Sequence, residues 1–312
     1  MALRFATAFA PASIGNVAVG FDVLGQSFPV LGDKVRAEVS PLPGVRIAAI
    51  TGIAGELPRE PERNTAGRAV QSLLAAAGGG TGIALSIEKG VPLGSGLGGS
   101  AASAVAAVVA ANELLGRPCT RAELLAHAVA GEAVASGSAH ADNVAPSLFG
   151  GLVVTVGADP ARVQRIPLPP AIRPVVVHPK MFLSTREARR ILRADVPLGD
   201  AIRQLGNLAG LIAGCHANDL ALIRACLKDV LIEPQRAGLI PGFAEVQAAA
   251  LAAGALGCSI SGAGPSVFAW CEEGTVRAAA DGMVAAFARH GLESVAHVAP
   301  AGDDGARILD RG

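Results

Sequence analysis

The sequence predicts an α+β fold in two halves. The first half of the 312-residue chain opens with strand-type runs between Gly and Pro turns and continues with helical patterns. A proline-rich stretch, "PLPPAIRP" at 167–174, interrupts this pattern, and strand-type and helical segments resume after it. With 51% hydrophobic and 17% charged residues, the chain can bury a large core. We therefore expect one domain over 1–168 and a second over 169–312.

The first half combines strands with helices. Thr65 is the expected N-cap of its first helix, and Thr120 with Glu123 three positions later has the pattern of a capping box. A long alanine-rich run without Gly or Pro indicates a buried helix. The expected strands cover 3–9, 34–40, 45–50, 82–89 and 150–156, and the expected helices cover 65–78, 100–115 and 120–135.

The second half has the pattern of helices packed on an antiparallel sheet, which is an α+β layer. The expected strands are "VVVH" at 175–178, "ALGCSIS" at 255–261, "SVFAWC" at 266–271 and "ESVAHVA" at 293–299. The expected helices lie near 185–194, 199–214, 218–227, 242–253 and 275–290.

Charge and cysteine content exclude several classes of function. Lys plus Arg equals Asp plus Glu at 26 each, so no global field recruits nucleic acid or an anionic membrane, and any anion site is local. The five cysteines are scattered and never form a CxxC pair, which argues against a disulfide framework or a zinc site. Apolar runs fall short of the roughly 18 to 20 residues that a membrane span needs. We expect a cytoplasmic protein without a nucleic-acid or membrane partner.

One glycine-rich loop indicates a phosphate site. The stretch "VPLGSGLGGSAAS", residues 91–103, places four glycines within six residues directly before the alanine-rich helix. Glycines let backbone N–H groups converge, and the helix start adds the positive end of its dipole. Ser100 at the helix start would supply a hydroxyl for the metal ion that accompanies a polyphosphate.

The loop sequence admits three other interpretations. Gly94, Gly96 and Gly99 satisfy GxGxxG, with Glu113 as the acidic residue, but Pro92 interrupts the strand that should feed the turn. A Walker-type loop requires a lysine, which this loop lacks. The loop could also be a glycine turn that only lets a helix pack closely.

Three separated stretches resemble the GHMP kinases, the superfamily that includes galactokinase, homoserine kinase and mevalonate kinase. "PLGSGLGGSAA" (92–102) resembles its phosphate-binding motif. "APASIGNVAVGFDVLG" (10–25) resembles its N-terminal substrate motif, and "SISGAGPSVFAW" (259–270) resembles its C-terminal glycine motif. The resemblance implies an N-terminal ribosomal-protein-S5-like domain, a C-terminal ferredoxin-like α/β sandwich, and ATP over the loop.

Within the superfamily, four further stretches resemble the homoserine kinase family in particular. They are "IGNVAVGFDVLG" (14–25), "HADNVAP" (140–146), "STREARRIL" (184–192) and "EPQRAGLIPGF" (233–243). The resemblance implies ATP- and Mg²⁺-dependent phosphorylation of the hydroxyl of L-homoserine to O-phospho-L-homoserine, a step of threonine biosynthesis. It also makes a homodimer plausible.

The resemblance assigns the nucleotide site. Glu132 on the helix 120–135 and Ser100 would contact Mg²⁺, and Asn64 with Thr65 falls where the family contacts adenine. The alternative for Glu132 is a solvent-facing helix charge. The residues assigned to ATP are Asn64, Pro92, Leu93, Gly94, Ser95, Gly96, Leu97, Gly98, Gly99, Ser100, Ala101 and Ala102.

The resemblance also assigns the substrate pocket. Asp22 would hold the ammonium group, Arg189 and Arg236 would bind the carboxylate, and Thr185 would lie near the reacting hydroxyl or simply cap its own helix. No clear general base emerges, although Asp142 lies beside the substrate motif. Turn chemistry is the alternative for the pocket's Asn and Asp residues. The remaining assigned residues are Asn16, His140 and Asn143 in the pocket and Gly262 and Gly264 in the C-terminal glycine loop, which could also be a tight hairpin.

Two rival functions follow from the same motifs. Another small-molecule GHMP kinase acting on an alcohol without a carboxylate would not require Arg189 and Arg236. A regulator that binds nucleotide or metabolite without catalysis would not require Ser100 and Glu132. The loop has one departure from the family pattern, because most relatives read GLGSS where this chain has Gly98, Gly99 and Ser100.

Overall fold

The computed structural model describes residues 3–53, 56–137, 140–157 and 162–312. Two sheets, each covered by helices, form the architecture, which confirms the expected α+β class. Within the described ranges, no helix is long and apolar enough to cross a membrane.

The larger sheet contains seven strands. They are β1 (Phe5–Gly15), β2 (Leu24–Ser40), β3 (Gly44–Gly52), β4 (Gly82–Lys89), β5 (Leu152–Thr155), β6 (Val163–Ile166) and β11 (Arg307–Arg311). The main path runs β11-β1-β2-β4-β3, while β5 pairs with the beginning of β2 and β6 pairs with β5. Among the described strands of this sheet, β3 and β4 alone pair in parallel, and a parallel pair requires a crossover, which the helix between them provides.

Four helices accompany this sheet: α1 (Thr65–Ala76), α2 (Gly99–Leu114), α3 (Leu124–Ser136) and α4 (Val144–Phe149). Helix α2 packs against β1 and β2 and also against α1 and α3. It is buried on nearly all sides, and its many alanines let these neighbours approach closely. The beginning of α2 is therefore held rigidly from several directions.

The smaller sheet is antiparallel, in the order β10-β7-β9-β8. Its strands are β7 (Ile172–Pro179), β8 (Gly257–Ile260), β9 (Val267–Glu272) and β10 (Ser294–Val298). Helices α9 (Phe243–Ala252) and α10 (Val276–Arg289) share one core with this sheet. The helices preceding them are α5 (Thr185–Arg190), α6 (Leu198–Ala217), α7 (Leu220–Cys226) and α8 (Glu233–Arg236).

A shared core joins the two halves. Phe268 and Trp270 on β9 are fully buried in one cluster with Ile14 and Phe28 of the larger sheet. The Trp270 indole Nε1 donates a hydrogen bond of 2.8 Å to Gln26 Oε1. Because a buried N–H needs an acceptor, this bond fixes how the two sheets meet.

Several elements differ from the expectation. The first helix begins at Thr65 as expected, but its N-cap is Asn64, whose Oδ1 accepts from the amides of Ala66 and Gly67. Thr120 and Glu123 make capping-box contacts, yet the helix itself begins at Leu124. Helix α5 ends at Arg190 rather than near 194. Strands β6 and β11 and helices α4 and α8 were not expected.

Candidate active site

A cleft of about 530 Å³ receives residues from both halves of the chain. It contains most of the residues that the sequence motifs indicated, including both arginines and the glycine loop. Those residues are Asn16, Asp22, Asn64, Thr65, Pro92, Leu93, Gly94, Ser95, Gly96, Gly98, Gly99, Ser100, Glu132, His140, Asn143, Thr185, Arg189, Arg236 and Gly262.

Four indicated residues do not line the cleft. Leu97, Ala101 and Ala102 are fully buried, and their side chains belong to the hydrophobic cores below the loop. Gly264 lies outside the cleft lining, in a turn where an added Cβ would meet Ile240 at 2.9 Å. These residues support the shape of the two loops from beneath.

The glycine loop has a backbone that other residues would not adopt. Gly96 and Gly98 have φ values of +75° and +63°. A Cβ at Gly96 would lie 2.4 Å from the carbonyl oxygen of Ser261, and one at Gly98 would lie 2.1 Å from Ser13 Oγ. Gly98 is also the N-cap of α2, so the backbone of the loop lies at the positive end of that helix.

The structure argues against a dinucleotide fingerprint for this loop. Glu113, the acidic residue which that interpretation needs, lies in α2 and accepts hydrogen bonds from Arg117 and Arg311. These bonds, with Arg117 making the largest contribution, hold the Glu113 pKa below its usual value. Its carboxylate is therefore engaged near the chain's C-terminal strand rather than at a ribose.

A buried polar network supports the loop from β4. Lys89 Nζ contacts Asp33 and also donates to the Gly99 carbonyl at 2.7 Å and to Ser103 Oγ at 2.9 Å. Asp33 Oδ2 accepts from Ser103 Oγ at 2.6 Å, and its Oδ1 accepts from the amides of Gly90 and Val91. Because every charge in this network has partners, burial is tolerated and the loop is tied to the helix start.

Ser100 and Glu132 meet where the loop enters α2. The Ser100 side chain hydrogen-bonds the Glu132 carboxyl from the neighbouring helix α3. Burial, the largest cause, raises the pKa of Glu132 to about 7, while the Ser100 hydrogen bond acts in the opposite direction. A carboxylate and a hydroxyl side by side form an oxygen donor set of the kind that Mg²⁺ uses beside phosphates.

The turn after β1 is a strained loop that carries Asp22. Asn16, Val17 and Ala18 have φ values of +68°, +42° and +59°, and Asp22 has +60°. Side chains other than glycine rarely adopt this region, and such strain persists only where surrounding contacts enforce it. Asn16 provides two of those contacts, because its Oδ1 accepts from the Asp22 amide at 3.1 Å and its Nδ2 donates to the Gly262 carbonyl at 3.0 Å.

Asp22 and Arg189 form a bidentate ion pair across the cleft. The Arg189 Nη1 and Nη2 atoms donate to the two Asp22 oxygens at 2.9 and 2.7 Å. Arg236 is buried, with its Nε and Nη1 donating to the carbonyls of Ala188 and Gly262 at 3.1 and 3.0 Å. Burial first, and then the charge of Arg189, lower the Arg236 pKa to about 10. The resemblance implied that Asp22 binds the ammonium group and Arg189 the carboxylate of the substrate, and in the structure these two side chains pair with each other.

Asn143 and Asp142 face the same part of the cleft. Asn143 Nδ2 donates to Asp142 Oδ2 at 3.2 Å, and its Oδ1 accepts from Ser13 Oγ at 2.9 Å. Burial is the main cause that raises the pKa of Asp142 to about 7, and the Asp22 charge adds to it. His140 Nδ1 lies 3.6 Å from Asp22 Oδ2, and burial lowers the pKa of its ring.

Asn64, which also lines the cleft, uses both the oxygen and the nitrogen of its side-chain amide in hydrogen bonds to the backbone. Its Oδ1 caps α1, and its Nδ2 donates to the Pro58 carbonyl at 2.8 Å. Asn64 therefore shapes the segment beside Thr65 through its fold contacts. Thr185 lies exposed in the cleft lining, and Ser184, not Thr185, caps α5 by accepting from the Glu187 amide.

Sequence reasoning missed several residues in the cleft. Lys89 is the last residue of the expected strand 82–89 and drew no assignment, because its partner Asp33 lies 56 positions away. Phe21 stands inside the quoted substrate motif but drew no assignment. Arg186 stands inside the quoted stretch "STREARRIL" without an assigned role, and it is exposed and lines the cleft. The other lining residues to which the sequence motifs assigned no role are Leu57, Pro58, Arg63, Ile87, Ser103, Ala135, Phe182, Leu183, Ser184 and Ala263.

Two family models match this chain. Residues 64–151 match the GHMP kinases N terminal domain, and residues 211–289 match the GHMP kinases C terminal model. The first match contains the glycine loop, Glu132 and Asn143, and the second contains Arg236 and the C-terminal glycine loop. The fold and the cleft thus define a protein of the GHMP kinase class.

Relatives that match over nearly the whole chain show which family within this class is meant. A homoserine kinase of Xanthomonas campestris is 53% identical over 308 residues, covering 98% of this chain and 95% of its own length. One of Chlorobaculum tepidum is 44% identical, covering 98% and 99%. The crystal structure of homoserine kinase from Cytophaga hutchinsonii matches with a TM-score of 0.94 at 43% identity, covering 98% of each chain. The chain therefore belongs to the homoserine kinase family within the GHMP kinases.

Proposed function

We propose that this chain transfers the γ-phosphoryl group of ATP to the hydroxyl of L-homoserine, giving O-phospho-L-homoserine for threonine biosynthesis. The observation that carries the proposal is one cleft in which Asp22, Arg189 and Arg236 face a glycine loop at a helix start. The family relationship supports the same reaction. A kinase acting on a plain alcohol would have no use for two arginines and an aspartate around its substrate.

The charge pattern suits a zwitterionic amino acid. Asp22 and Arg189 satisfy each other through two hydrogen bonds, so a ligand that separates them must replace both. An α-ammonium group on Asp22 and an α-carboxylate on Arg189 and Arg236 would do so. A guanidinium presents two parallel donors to a carboxylate, which gives geometric selectivity as well as charge.

Ser100 and Glu132 would hold Mg²⁺ beside the phosphates. Their oxygen atoms meet at the mouth of the loop, and Mg²⁺ at phosphate sites needs one or two protein ligands besides phosphates and water. When bound, the ion would neutralise charge on the β- and γ-phosphates.

The remaining chemistry consists of positioning and charge stabilisation by the protein. Loop amides and the start of α2 would hold the phosphates, and Asn143 would orient the attacking hydroxyl. A loose transition state builds little charge on the attacking oxygen, so its proton can leave late. Asp142, with a pKa raised to about 7, is the candidate acceptor for that proton.

Three further properties are part of the proposal. We place the domain boundary between residues 168 and 169, in the link from β6 to β7, and the last strand, β11, returns to the larger sheet beside β1. A reducing, cytoplasmic setting is supported by five cysteines that are all free. The homodimer stays a prediction of the family resemblance, and analytical ultracentrifugation tests it.

ATP consumption with and without L-homoserine tests the proposal. We expect ADP to form only when L-homoserine is present, with Arg189→Leu and Arg236→Leu each raising its KM by more than about thirtyfold and the ATP KM by less than a few-fold. Arg190→Leu is the matched control, because Arg190 is exposed on the same helix and does not line the cleft. Unchanged L-homoserine kinetics in both cleft variants would remove the arginines from the substrate pocket.

A further inference from the structure

Phe21 contacts both guanidinium groups of the substrate pocket. The Cζ atoms of Arg189 and Arg236 each lie 5.2 Å from the centre of the Phe21 ring. The face of an aromatic ring attracts a cation at this distance, and the attraction depends on where the cation lies over the ring. One ring therefore acts on two cations from different elements, α5 and α8.

The two guanidinium groups repel each other, and a shared partner of negative potential lies close to both. Arg236 is only 3% exposed, and the charge of Arg189 contributes to lowering its pKa. Arg189 has the Asp22 carboxylate as its ion-pair partner, whereas the hydrogen bonds of Arg236 go to the neutral carbonyls of Ala188 and Gly262. The Phe21 ring thus offers Arg236 a site of negative potential that does not neutralise its charge.

The ring is also tied to the residue that faces the opposite end of the substrate. Phe21 directly precedes Asp22, whose backbone is held at a φ of +60° by the hydrogen bond to Asn16 Oδ1. The same Asn16 side chain and Arg236 both donate to the Gly262 carbonyl, each at 3.0 Å. Ring, carboxylate and both guanidinium groups therefore form one connected unit.

We propose that Phe21 is a specificity-determining residue: its ring holds Arg189 and Arg236 in the arrangement that binds one α-carboxylate. The cleft would thereby select hydroxyl substrates that carry an α-carboxylate over otherwise similar alcohols. Phe21 acts through the arginines and is a positioning residue. The proposal rests on the proposed function for the identity of the substrate.

Replacing the ring without changing its size much tests this role. We expect Phe21→Leu to raise the KM for L-homoserine by about tenfold, while kcat stays within about twofold and the ATP KM is unchanged. Phe21→Tyr keeps the aromatic face and should restore a KM close to that of the unmodified chain. Phe5→Leu is the matched control, because Phe5 packs under Arg36 at 3.6 Å, outside the cleft lining, and its loss should leave both KM values unchanged.

A substrate analogue without the carboxylate distinguishes a role of Phe21 in carboxylate binding from a role in packing alone. In the corresponding amino diol, a hydroxymethyl group replaces the carboxylate, so its kcat/KM should be the same for the unmodified chain and for Phe21→Leu. Equal losses on L-homoserine and on the diol would contradict the proposal, as would a Phe21→Leu variant with unchanged L-homoserine KM. Should Phe21→Leu fail to fold, fluorinated phenylalanines at position 21 keep the ring while weakening its negative face. KM rising with fluorination supports the proposal, and a flat series overturns it.

Calorimetric binding of L-homoserine distinguishes this proposal from the proposed function. An unmodified chain that binds L-homoserine but does not phosphorylate it would contradict the proposed function alone. Equal affinities of the unmodified chain and Phe21→Leu for L-homoserine would contradict the role of Phe21 alone. An unmodified chain that neither binds nor phosphorylates L-homoserine would contradict the proposed function and the role of Phe21 together.

Discussion

Asp142 and Glu132 are two carboxyl groups of one cleft whose pKa values burial raises to about 7. Each would be ionised at neutral pH in the unfolded chain, since the ordinary values are 3.8 and 4.5. Folding therefore opposes their ionisation, and the cleft keeps two poorly solvated carboxylates that a cation or a proton would stabilise. This cost to stability is typical of residues retained for chemistry.

Asp142→Asn should make this cost visible as a function of pH. Between pH 4 and 7 the folded chain binds a proton at Asp142 that the unfolded chain has already released, so the stability contributed by this group falls as pH rises through that window. The variant lacks this loss. We expect it to match the unmodified chain near pH 4 and to exceed it by about 2–4 kcal/mol at pH 8. Urea unfolding across this pH range measures the difference, and a constant offset at all pH values would contradict the raised pKa.

Position 99, where this chain has glycine and most relatives have serine, should accept either residue. A Cβ on Gly99 would lie 3.2 Å from Val91 Cγ1, a contact that a shift of a few tenths of an ångström relieves, and the backbone there is not left-handed. Gly99→Ser should therefore change kcat/KM by less than about tenfold. Ser100→Ala removes the hydroxyl that meets Glu132 and should lower kcat much more, with excess Mg²⁺ restoring only part of it.

Measuring kcat for both loop variants across a Mg²⁺ titration decides between the two positions. A nearly silent Ser100→Ala beside a severely impaired Gly99→Ser would show that the hydroxyl needed by the phosphates belongs at position 99. Ser100 would then lose its assignment as a metal contact.

At the scale of elements, the link between β4 and the start of α2 depends on Lys89. Its ammonium group uses all three donors, on Asp33, the Gly99 carbonyl and Ser103 Oγ. Lys89 and Asp33 are 3% and 0% exposed, so removing either leaves an uncompensated buried charge. The network lies next to the glycine loop and holds the Gly99 carbonyl in place.

Lys89→Met should destabilise the fold by roughly 3–5 kcal/mol because it leaves the Asp33 carboxylate buried and alone. Lys34→Met is the matched control, since Lys34 forms an exposed 2.9 Å pair with Glu88 between the same two strands, and it should cost less than about 0.5 kcal/mol. The double variant Lys89→Met with Asp33→Asn should recover part of the loss. Equal denaturation midpoints for Lys89→Met and Lys34→Met would refute the network's role.

Elements with a sequence pattern of their own could be predicted, whereas elements that depend on pairing with distant parts of the chain could not. The glycine loop was identified because Gly96 and Gly98 occupy a backbone that other residues avoid. Strand β11 was not predicted because it depends on pairing with β1, about 300 residues earlier in the chain, rather than on an apolar pattern of its own. Helices α4 and α8 are too short for a periodic signal.

The same distinction applies to the site. The resemblance placed Asp22, Arg189 and Arg236 in one pocket, and the structure brings them together. Neither the Asp33 partner of Lys89 nor the double contact of Phe21 could be read from neighbouring residues, because both depend on tertiary packing. Thr65 was the wrong helix cap because Asn64, one position earlier, has an amide that reaches two backbone N–H groups.

For the whole molecule, the cleft exists because two halves share a core. The smaller sheet contributes Gly262 from its β8–β9 turn, α5 contributes Arg189 and α8 contributes Arg236. The larger half contributes Asp22, the glycine loop and Glu132. The substrate pocket thus needs both halves, because Asp22 comes from one and its partner Arg189 from the other. The Trp270–Gln26 bond within the shared core joins the two halves.

We propose that this cleft joins the γ-phosphoryl group of ATP to the hydroxyl of a zwitterionic amino acid. Phosphorus NMR of a reaction containing ATP, Mg²⁺ and L-homoserine tests it most directly. We expect a new phosphomonoester signal, matching O-phospho-L-homoserine, to grow in step with ADP. It should be absent with Glu132→Gln, whose fold, checked by circular dichroism, should be intact. Inorganic phosphate in place of the ester, or equal phosphorylation of the amino diol, would contradict the account.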